Sequence, residues 1–150
     1  MSNISDIIDQ LSTIVEAQVT GITSIPDPYD PESNNDLFLQ NGYAIGFGSV
    51  QRSRTVMCNK VYLTREFQVM LFRVVAATEQ DGDAIKTSSK AILEDELKII
   101  KAVENDPDLG GYAINAAFTD GDPLQYLEGD RGRYWQLITA FSVEYAENLT

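Results

Sequence analysis

The chain has 150 residues, of which 43% are apolar, and it carries a net charge of −12. An acidic chain repels phosphate groups, so binding to the nucleic acid backbone is a poor hypothesis, although DNA can pass nearby without sticking. The sequence has no histidine and one cysteine, Cys58. These counts exclude an internal disulfide and a multi-cysteine zinc site, and they remove the commonest general base.

The length and the apolar content predict a single domain spanning residues 1–150. No run of 18 uninterrupted apolar residues occurs, and the first basic residue is Arg52. These features predict neither a membrane-spanning segment nor a secretion signal. The mature protein is therefore expected to be intracellular or assembled from cytosolic subunits.

The N-terminal segment is predicted to form an amphipathic helix. Apolar residues recur at helical spacing from Ile4 to Val19, Ser2 or Ser5 can cap the start, and Gly21 ends the helix. Residues 25–36 then combine three prolines with acids and asparagines. This composition is typical of an acidic, proline-rich surface loop.

Two strand segments follow the loop. Residues 37–50 are interpreted as strand material that turns tightly at Asn41-Gly42 and is loosened by Gly46 and Gly48. Residues 61–75 are predicted to form one long strand, whose far end becomes apolar on both faces.

A second helix is the clearest element in the pattern. Asp83 can cap it and Pro107 stops it. The helical spacing predicts a buried stripe along one side. The stripe comprises Ile85, Ile92, Leu93, Leu97, Ile100 and Val103.

The chain is predicted to end in two further strands. Residues 112–119 form the first, an acidic turn occupies residues 120–123, and the closing strand follows period two almost to the last residue. The heavier face of the closing strand is made by Trp135, Leu137, Thr139, Phe141, Val143 and Tyr145. The order of elements predicts an α+β domain with a mostly antiparallel sheet and the helices on one face.

The long strands are expected to extend past a compact core. A strand of about 15 residues spans about 50 Å at roughly 3.3 Å per residue, whereas a compact domain of this size has a diameter of roughly 38 Å. An overhanging apolar ribbon is prone to aggregate unless another copy or a partner covers it. We therefore expect the closing strand to belong to a sheet shared with neighbouring subunits.

Candidate catalytic and metal sites are weak. The Asp-Gly pairs at 81–83 and 120–122 are typical of turns, and the calcium-loop pattern starting at Asp106 has Ala117 in place of the final glutamate. Cys58 is interpreted as a half-buried structural residue, although nearby cations favour a thiolate. The sequence thus predicts no catalytic residue, no metal ligand and no cofactor, and we expect the protein not to be an enzyme.

A basic segment interrupts the otherwise acidic chain. Residues 1–51 contain seven acids and no base, residues 52–90 contain seven bases and four acids, and residues 91–150 contain twelve acids and four bases. The basic segment is Arg52, Arg54, Lys60 and Arg65. It is interpreted either as a solvated loop or as a patch that meets the acidic surface of the next subunit in a head-to-tail ring.

The layout of the whole chain resembles tail terminator proteins of long-tailed bacteriophages. The similarity lies in the order of the elements, in the passages "REFQVMLFRVV", "AILEDELKIIKAV" and "DPDLGGYAINAAFTD", and in the closing "YWQLITAFSVEYAE" strand. Its terminal aromatic motif is Phe141, Val143 and Tyr145. The resemblance implies a virion protein of the tail–neck region, assembled in the host cytoplasm as a ring, which has six subunits in that family.

That resemblance implies a mechanical function and a set of partners. The ring would cap the tail tube, end its polymerisation and join it to the head-side connector, while DNA passes through the lumen without specific binding. The implied partners are further copies of the chain, the tail tube protein and a connector or neck protein, with no membrane. The basic segment and the terminal aromatic motif are the expected subunit or tube interface. A head-completion or other neck ring protein, and a non-phage oligomeric binding domain, remain open alternatives.

Overall fold

A computed structural model describes residues 3–25, 41–75, 82–129 and 132–150. It has an α+β fold, with two helices and a mostly antiparallel six-stranded sheet, as the sequence predicted. Most of the predicted proline-rich loop, residues 26–36, lies outside the described residues, as does Asp81. The elements are α1 (Asn3–Gln18), β1 (Thr23–Ser24), β2 (Gly42–Met57), β3 (Lys60–Val75), α2 (Gly82–Glu104), a 3₁₀ turn (Leu109–Gly111), β4 (Asn115–Gly121), β5 (Gln125–Gly129) and β6 (Gly132–Asn148).

The sheet is built around its two longest antiparallel strands. Its order is β1-β2-β3-β6-β4, and β5 also pairs with β6. The β3–β6 register runs without a shift from Lys60 opposite Asn148 to Val75 opposite Arg133. The single parallel pair is β1–β2, which covers only the start of β2. β3 and β6 therefore form the rigid centre of the sheet.

Both helices pack on one face of this sheet. Odd-numbered side chains of β3 and β6, such as Phe67 and Phe141, join Ile7, Leu11 and Ile99 of the helices in the main core cluster. The opposite face carries a smaller buried cluster. That cluster comprises Ile25, Ala44, Met70, Phe72 and Tyr134. Period two in the sequence thus separates two faces, as predicted, and the heavier face is the one the helices cover.

The buried side of α2 differs from the predicted stripe. Leu93 and Leu97 are 44% and 50% exposed, whereas Ile99 is fully buried. The inward positions between Ile92 and Ile99 are occupied by two acids with partners on the sheet: Asp95 pairs with Arg73 at 2.7 Å, and Glu96 accepts a 2.6 Å hydrogen bond from the hydroxyl of the buried Thr139. This ion pair and this hydrogen bond offset the free-energy cost of partly burying the two carboxylates. With Asp95 and Glu96 on the inner side of α2, Leu93 and Leu97 face solvent. α2 also begins at Gly82, one residue before the predicted cap Asp83.

The tight turn lies elsewhere than predicted. Residues 37–40 of the predicted strand lie outside the described residues, and Gly42 is the first residue of β2, where it pairs with Phe72. Within the described residues the chain reverses at Cys58-Asn59, where Met57 pairs with Lys60. Cys58 and Asn59 have φ of 51° and 59°, which is the left-handed pair that a two-residue hairpin of type I′ requires. Gly42 has a different use, because a side chain there would meet Ile25 Cδ1 at 2.6 Å.

The glycines of β2 mark a close approach between neighbouring strands. A Cβ atom at Gly48 would lie 2.0 Å from Glu66 Oε2 and 2.9 Å from Glu66 Cβ, so the Glu66 side chain crosses over this position. The register shifts here, between Phe47 and Val50. Gly48 therefore stands where β2 leaves its regular pairing with β3 through a bulge.

The region before the closing strand is also more regular than predicted. β4 covers Asn115–Gly121 instead of residues 112–119, so the acidic pair Asp120-Gly121 belongs to the strand and only residues 122–124 connect it to β5. β5 was not predicted as a separate strand; it pairs with the beginning of β6. β4 includes Asp120 and Gly121 because these residues pair with Ala140 and Thr139 of β6, and the pairing overrides their preference for a turn.

Candidate subunit interface: the ribbon of strands 2 and 3

The most exposed part of the sheet is the end of the β2–β3 hairpin. Every residue from 49 to 60 is exposed, although all but the two turn residues belong to β2 or β3. We call this segment the ribbon. It corresponds to the overhang expected of the long strands, and it shows that the basic segment is a β-hairpin rather than a solvated loop.

The ribbon combines basic and apolar side chains. It contains Arg52, Arg54 and Lys60 and no acid. Val50, Val56 and Met57 are 44%, 40% and 48% exposed. An isolated exposed apolar residue is ordinary, but three on one hairpin, beside cations on an acidic chain, have the composition of a contact surface. The apolar members were missed from sequence because the turn at Cys58-Asn59 was not recognised.

One of the predicted interface cations already has a partner within the subunit. The Arg54 guanidinium reaches across β3 and donates to both carboxylate oxygens of Glu144 on β6, at 2.7 and 3.3 Å. It also lies 5.7 Å from the centre of the Tyr62 ring. Hydrogen bonds from Ser53 and then Arg54 hold the pKa of Glu144 below its ordinary value. These contacts tie the ribbon to the closing strand.

The Glu144 contacts predict a pH-dependent effect on stability. Since the folded-state pKa is lowered, their stabilisation is present above the ordinary carboxyl pKa and is lost as the pH falls through the folded-state value. Arg54→Ala should therefore lower the free energy of unfolding by about 0.5 kcal/mol at neutral pH, a small value because the pair is partly exposed. The difference from wild type should disappear at acidic pH, below the folded-state pKa of Glu144, as measured by urea unfolding. An equal loss at both pH values would contradict an ionic contribution.

The other predicted cations occupy different positions. Arg52 and Lys60 are exposed, and within the described part of the chain their side chains make no hydrogen bond or ion pair. Arg65 is half-buried further along β3, and its Nε donates to the Tyr145 hydroxyl at 3.3 Å. Arg52 and Lys60 are thus the cations of the basic segment that remain available to a partner.

The terminal aromatic motif lies in the subunit's own core, which corrects its expected position at an interface. Phe141 and Val143 have no exposed surface, and Tyr145 is 2% exposed. Phe141 packs edge-on against Phe118 at 6.2 Å between ring centres. These odd-numbered side chains point to the face covered by the helices, so they offer no surface to a neighbouring subunit.

The closing strand is likewise internal, contrary to the expectation of a sheet shared through it. β6 pairs with β3 along its whole length and with β4 and β5 on its other side. The Leu149 amide donates to the carbonyl of Asn59, and Asn3 at the start of α1 donates to the Ala146 carbonyl. These bonds explain why apolar alternation continues to the C-terminus.

Among the described strands, β4 and β5 form one open edge of the sheet, and β2 forms the other. β1 contacts β2 only at Gly42 and Tyr43, and no other described strand pairs on that side. An unpaired edge exposes main-chain donors and acceptors that can bind another strand. These open edges, rather than the closing strand, are therefore the places where a shared sheet can form.

Cys58 occupies the tip of the ribbon, which corrects its interpretation as a half-buried structural residue. It is exposed, and its backbone has the left-handed conformation that the turn requires.

Among the described residues there is no group of three or more His, Cys, Asp or Glu side chains arranged to hold a metal ion. None of the described helices is long and apolar enough to cross a membrane.

Comparisons with known proteins do not extend the sequence resemblance. No protein-family model matches the chain, and no curated protein sequence matches it.

Proposed function

We propose that this protein is a structural subunit of a bacteriophage virion. Copies of the chain assemble into a ring, hexameric by the resemblance, that caps the tail tube, ends its polymerisation and joins it to the head-side connector. The chain acts mechanically in this role and carries out no catalysis. Its partners are other copies of itself, the tail tube protein and a neck protein.

The observation that carries the proposal is the ribbon. It is long, exposed, basic and partly apolar, and it lies next to an unpaired strand edge on a subunit of net charge −12. Such a patch is complementary to the acidic remainder of the molecule, and a head-to-tail arrangement of complementary patches closes into rings when the rotation between subunits allows it. The acidic balance also suits a ring through which DNA passes without adhering.

Negative-stain electron microscopy tests the proposal directly. The purified protein is imaged alone and after mixing with isolated phage tail tubes. Rings, or caps confined to one end of each tube, are the expected result. Monomers that ignore tubes at every concentration would overturn the proposal and favour a binding domain of another kind.

Reversing one available cation should weaken assembly without unfolding the subunit. Arg52→Glu removes a cation that has no described internal partner and places an acid opposite an acidic neighbour. We expect about tenfold weaker association, equivalent to about 1.4 kcal/mol, with an unchanged circular dichroism spectrum. Sedimentation velocity over a concentration series measures the change.

The control for this variant is Lys86→Glu on α2. It makes the same change in net charge at an exposed lysine outside the ribbon, and an acid is well tolerated in the first turns of a helix. Equal weakening by both variants would assign the effect to overall charge repulsion rather than to the ribbon.

A further inference from the structure

A groove runs beside the open edge of β2. It has a volume of about 310 Å³ and lies between α1 and the first half of β2. Its walls are mostly apolar, with serine hydroxyls from Ser12 and Ser24. The apolar wall residues are Ile8, Ile25, Ala44, Ile45 and Phe47, with the Tyr43 ring.

The groove also has unused main-chain groups along one wall. The carbonyl of Tyr43 accepts a hydrogen bond from the Ile25 amide of the segment that follows β1. In a regular strand, residues two and four positions further on direct their amides and carbonyls to the same side. Ile45 and Phe47 therefore face the open edge, where no described strand pairs with them.

The helix that supplies one wall of the groove, α1, is acidic. α1 contains Asp6, Asp9 and Glu16 and no base. Glu16 accepts a 2.6 Å hydrogen bond from the hydroxyl of Tyr43, and burial together with this carboxylate raises the pKa of that tyrosine. The negative charge of α1 matches the positive charge of the ribbon, which has three bases and no acid.

A subunit's own ribbon cannot fill its groove. The exposed pair Val56 and Met57 lies on the same strand as Phe47, about 10 residues away, which is roughly 33 Å along β2. A ribbon tip that fills this groove therefore belongs to another subunit. A second copy supplies two apolar side chains and flanking cations at a single tip, which suits an apolar groove beside an acidic helix.

The bulges of β2 decide between two arrangements of copies. Register shifts occur between Phe47 and Val50, between Arg52 and Arg54, and between Arg54 and Met57. Repeated bulges twist an edge away from flat pairing, so two ribbons are poorly suited to a continuous two-fold ladder. The regular segment from Gly42 to Phe47 keeps straight pairing geometry, and this segment forms the wall of the groove.

We infer that the ribbon tip of one subunit, Val56 and Met57, docks into the α1–β2 groove of the next subunit in a head-to-tail contact. This inference rests on the proposed ring function and names its interface. The apolar tip fills the groove, Arg52 and Lys60 lie near the acids of α1, and the tip backbone can pair with the free edge at Ile45 and Phe47.

Disulfide trapping tests this contact, because Cys58 is the single cysteine of the chain and sits at the ribbon tip. Ser12→Cys places a second thiol in the groove. The matched control is Ser89→Cys, the same substitution at a half-buried position of α2. Wild type and both variants are first imaged under reducing conditions, alone and with tail tubes, and are then oxidised with diamide and separated on non-reducing gels.

A ladder of dimers, trimers and higher species that ends at the ring number, seen for Ser12→Cys only, is the expected result. Products of Ser12→Cys that stop at dimers would indicate a two-fold contact, and strong Cys58–Cys58 dimers in wild type would indicate tip-to-tip contact; each overturns the inference. Rings in the microscope without the ladder would overturn the inference and leave the ring function standing. Absence of rings and caps would remove the proposed function itself, and the inference with it.

Discussion

Phe141→Ala is expected to lower the free energy of unfolding by about 3–5 kcal/mol, because truncating a buried phenylalanine removes its transfer energy and leaves a cavity. The side chain has no exposed surface, lies opposite Phe67 of β3 and Phe118 of β4, and packs edge-on against Phe118. This loss is a large fraction of the stability of a typical domain. Urea unfolding of the monomer, followed by tryptophan fluorescence, measures it.

Phe47→Ala is the matched control for the core substitution. Phe47 also makes an edge-on aromatic contact, with Phe67 at 5.8 Å, but it is 45% exposed. Its removal should cost about 1 kcal/mol, the value of an aromatic pair at a partly exposed position. Unchanged unfolding of Phe141→Ala with weakened assembly would return the terminal aromatic motif to an interface and contradict its place in the core.

Val56→Glu combined with Met57→Glu should produce the opposite phenotype, a stable subunit that fails to assemble. Both side chains are exposed in the isolated subunit, so their replacement leaves the core intact. On the proposed docking, both become buried, and burial of each contributes about 1.5 kcal/mol or more. We expect association to weaken by about 100-fold or more, measured by mass photometry or sedimentation velocity.

The control is Leu93→Glu combined with Leu97→Glu on α2. These leucines are as exposed as the ribbon pair, at 44% and 50%, and glutamate is compatible with a helix. This variant makes the same change in charge as the ribbon variant and removes two apolar side chains of similar fractional exposure. Assembly that resists the ribbon change but fails with the α2 change would place the interface on α2.

Alternation and spacing were enough to predict the fold class and most of the elements. The closing strand shows why: Leu137, Phe141 and Val143 are large and apolar at every second position, and all three lie in the core cluster. A heavy face along a strand indicates burial, however, without indicating which chain buries it. In this molecule α1 and α2 cover that face. Alternation alone does not distinguish burial within the subunit from burial against a neighbour, and for this reason the aromatic motif was predicted at an interface.

Contacts between residues that are distant in sequence account for the other differences between the predicted and the observed structure. Asp95 and Glu96 occupy the inner side of α2 because Arg73 and Thr139 are on the sheet beneath them, and helical spacing carries no information on those partners. Asn41-Gly42 is a strong turn signal, yet Gly42 is the first residue of β2 and Ile25 packs against it. The real turn, Cys58-Asn59, lacks the glycine that usually marks a type I′ hairpin.

The candidate interface was therefore only partly predictable. The excess of cations between residues 52 and 65 was visible in the sequence, and Arg52 and Lys60 are indeed exposed on the ribbon. Arg54 and Arg65 bind Glu144 and Tyr145 within the subunit, because β3 and β6 lie side by side in register. The groove combines α1 with β2 and could not be assigned before their packing was known.

In the proposed assembly, the length of β2 determines the diameter of the ring. If the tip of one subunit occupies the groove of the next, the step from groove to groove equals the distance from groove to tip within one chain, roughly 33 Å for about 10 residues of strand. In a flat ring of six subunits these steps form a regular hexagon, so the grooves lie on a circle whose radius equals one step, roughly 33 Å. Inserting two residues on each side of the hairpin should therefore enlarge this circle, so that strand length, rather than the surface of any partner, fixes the diameter.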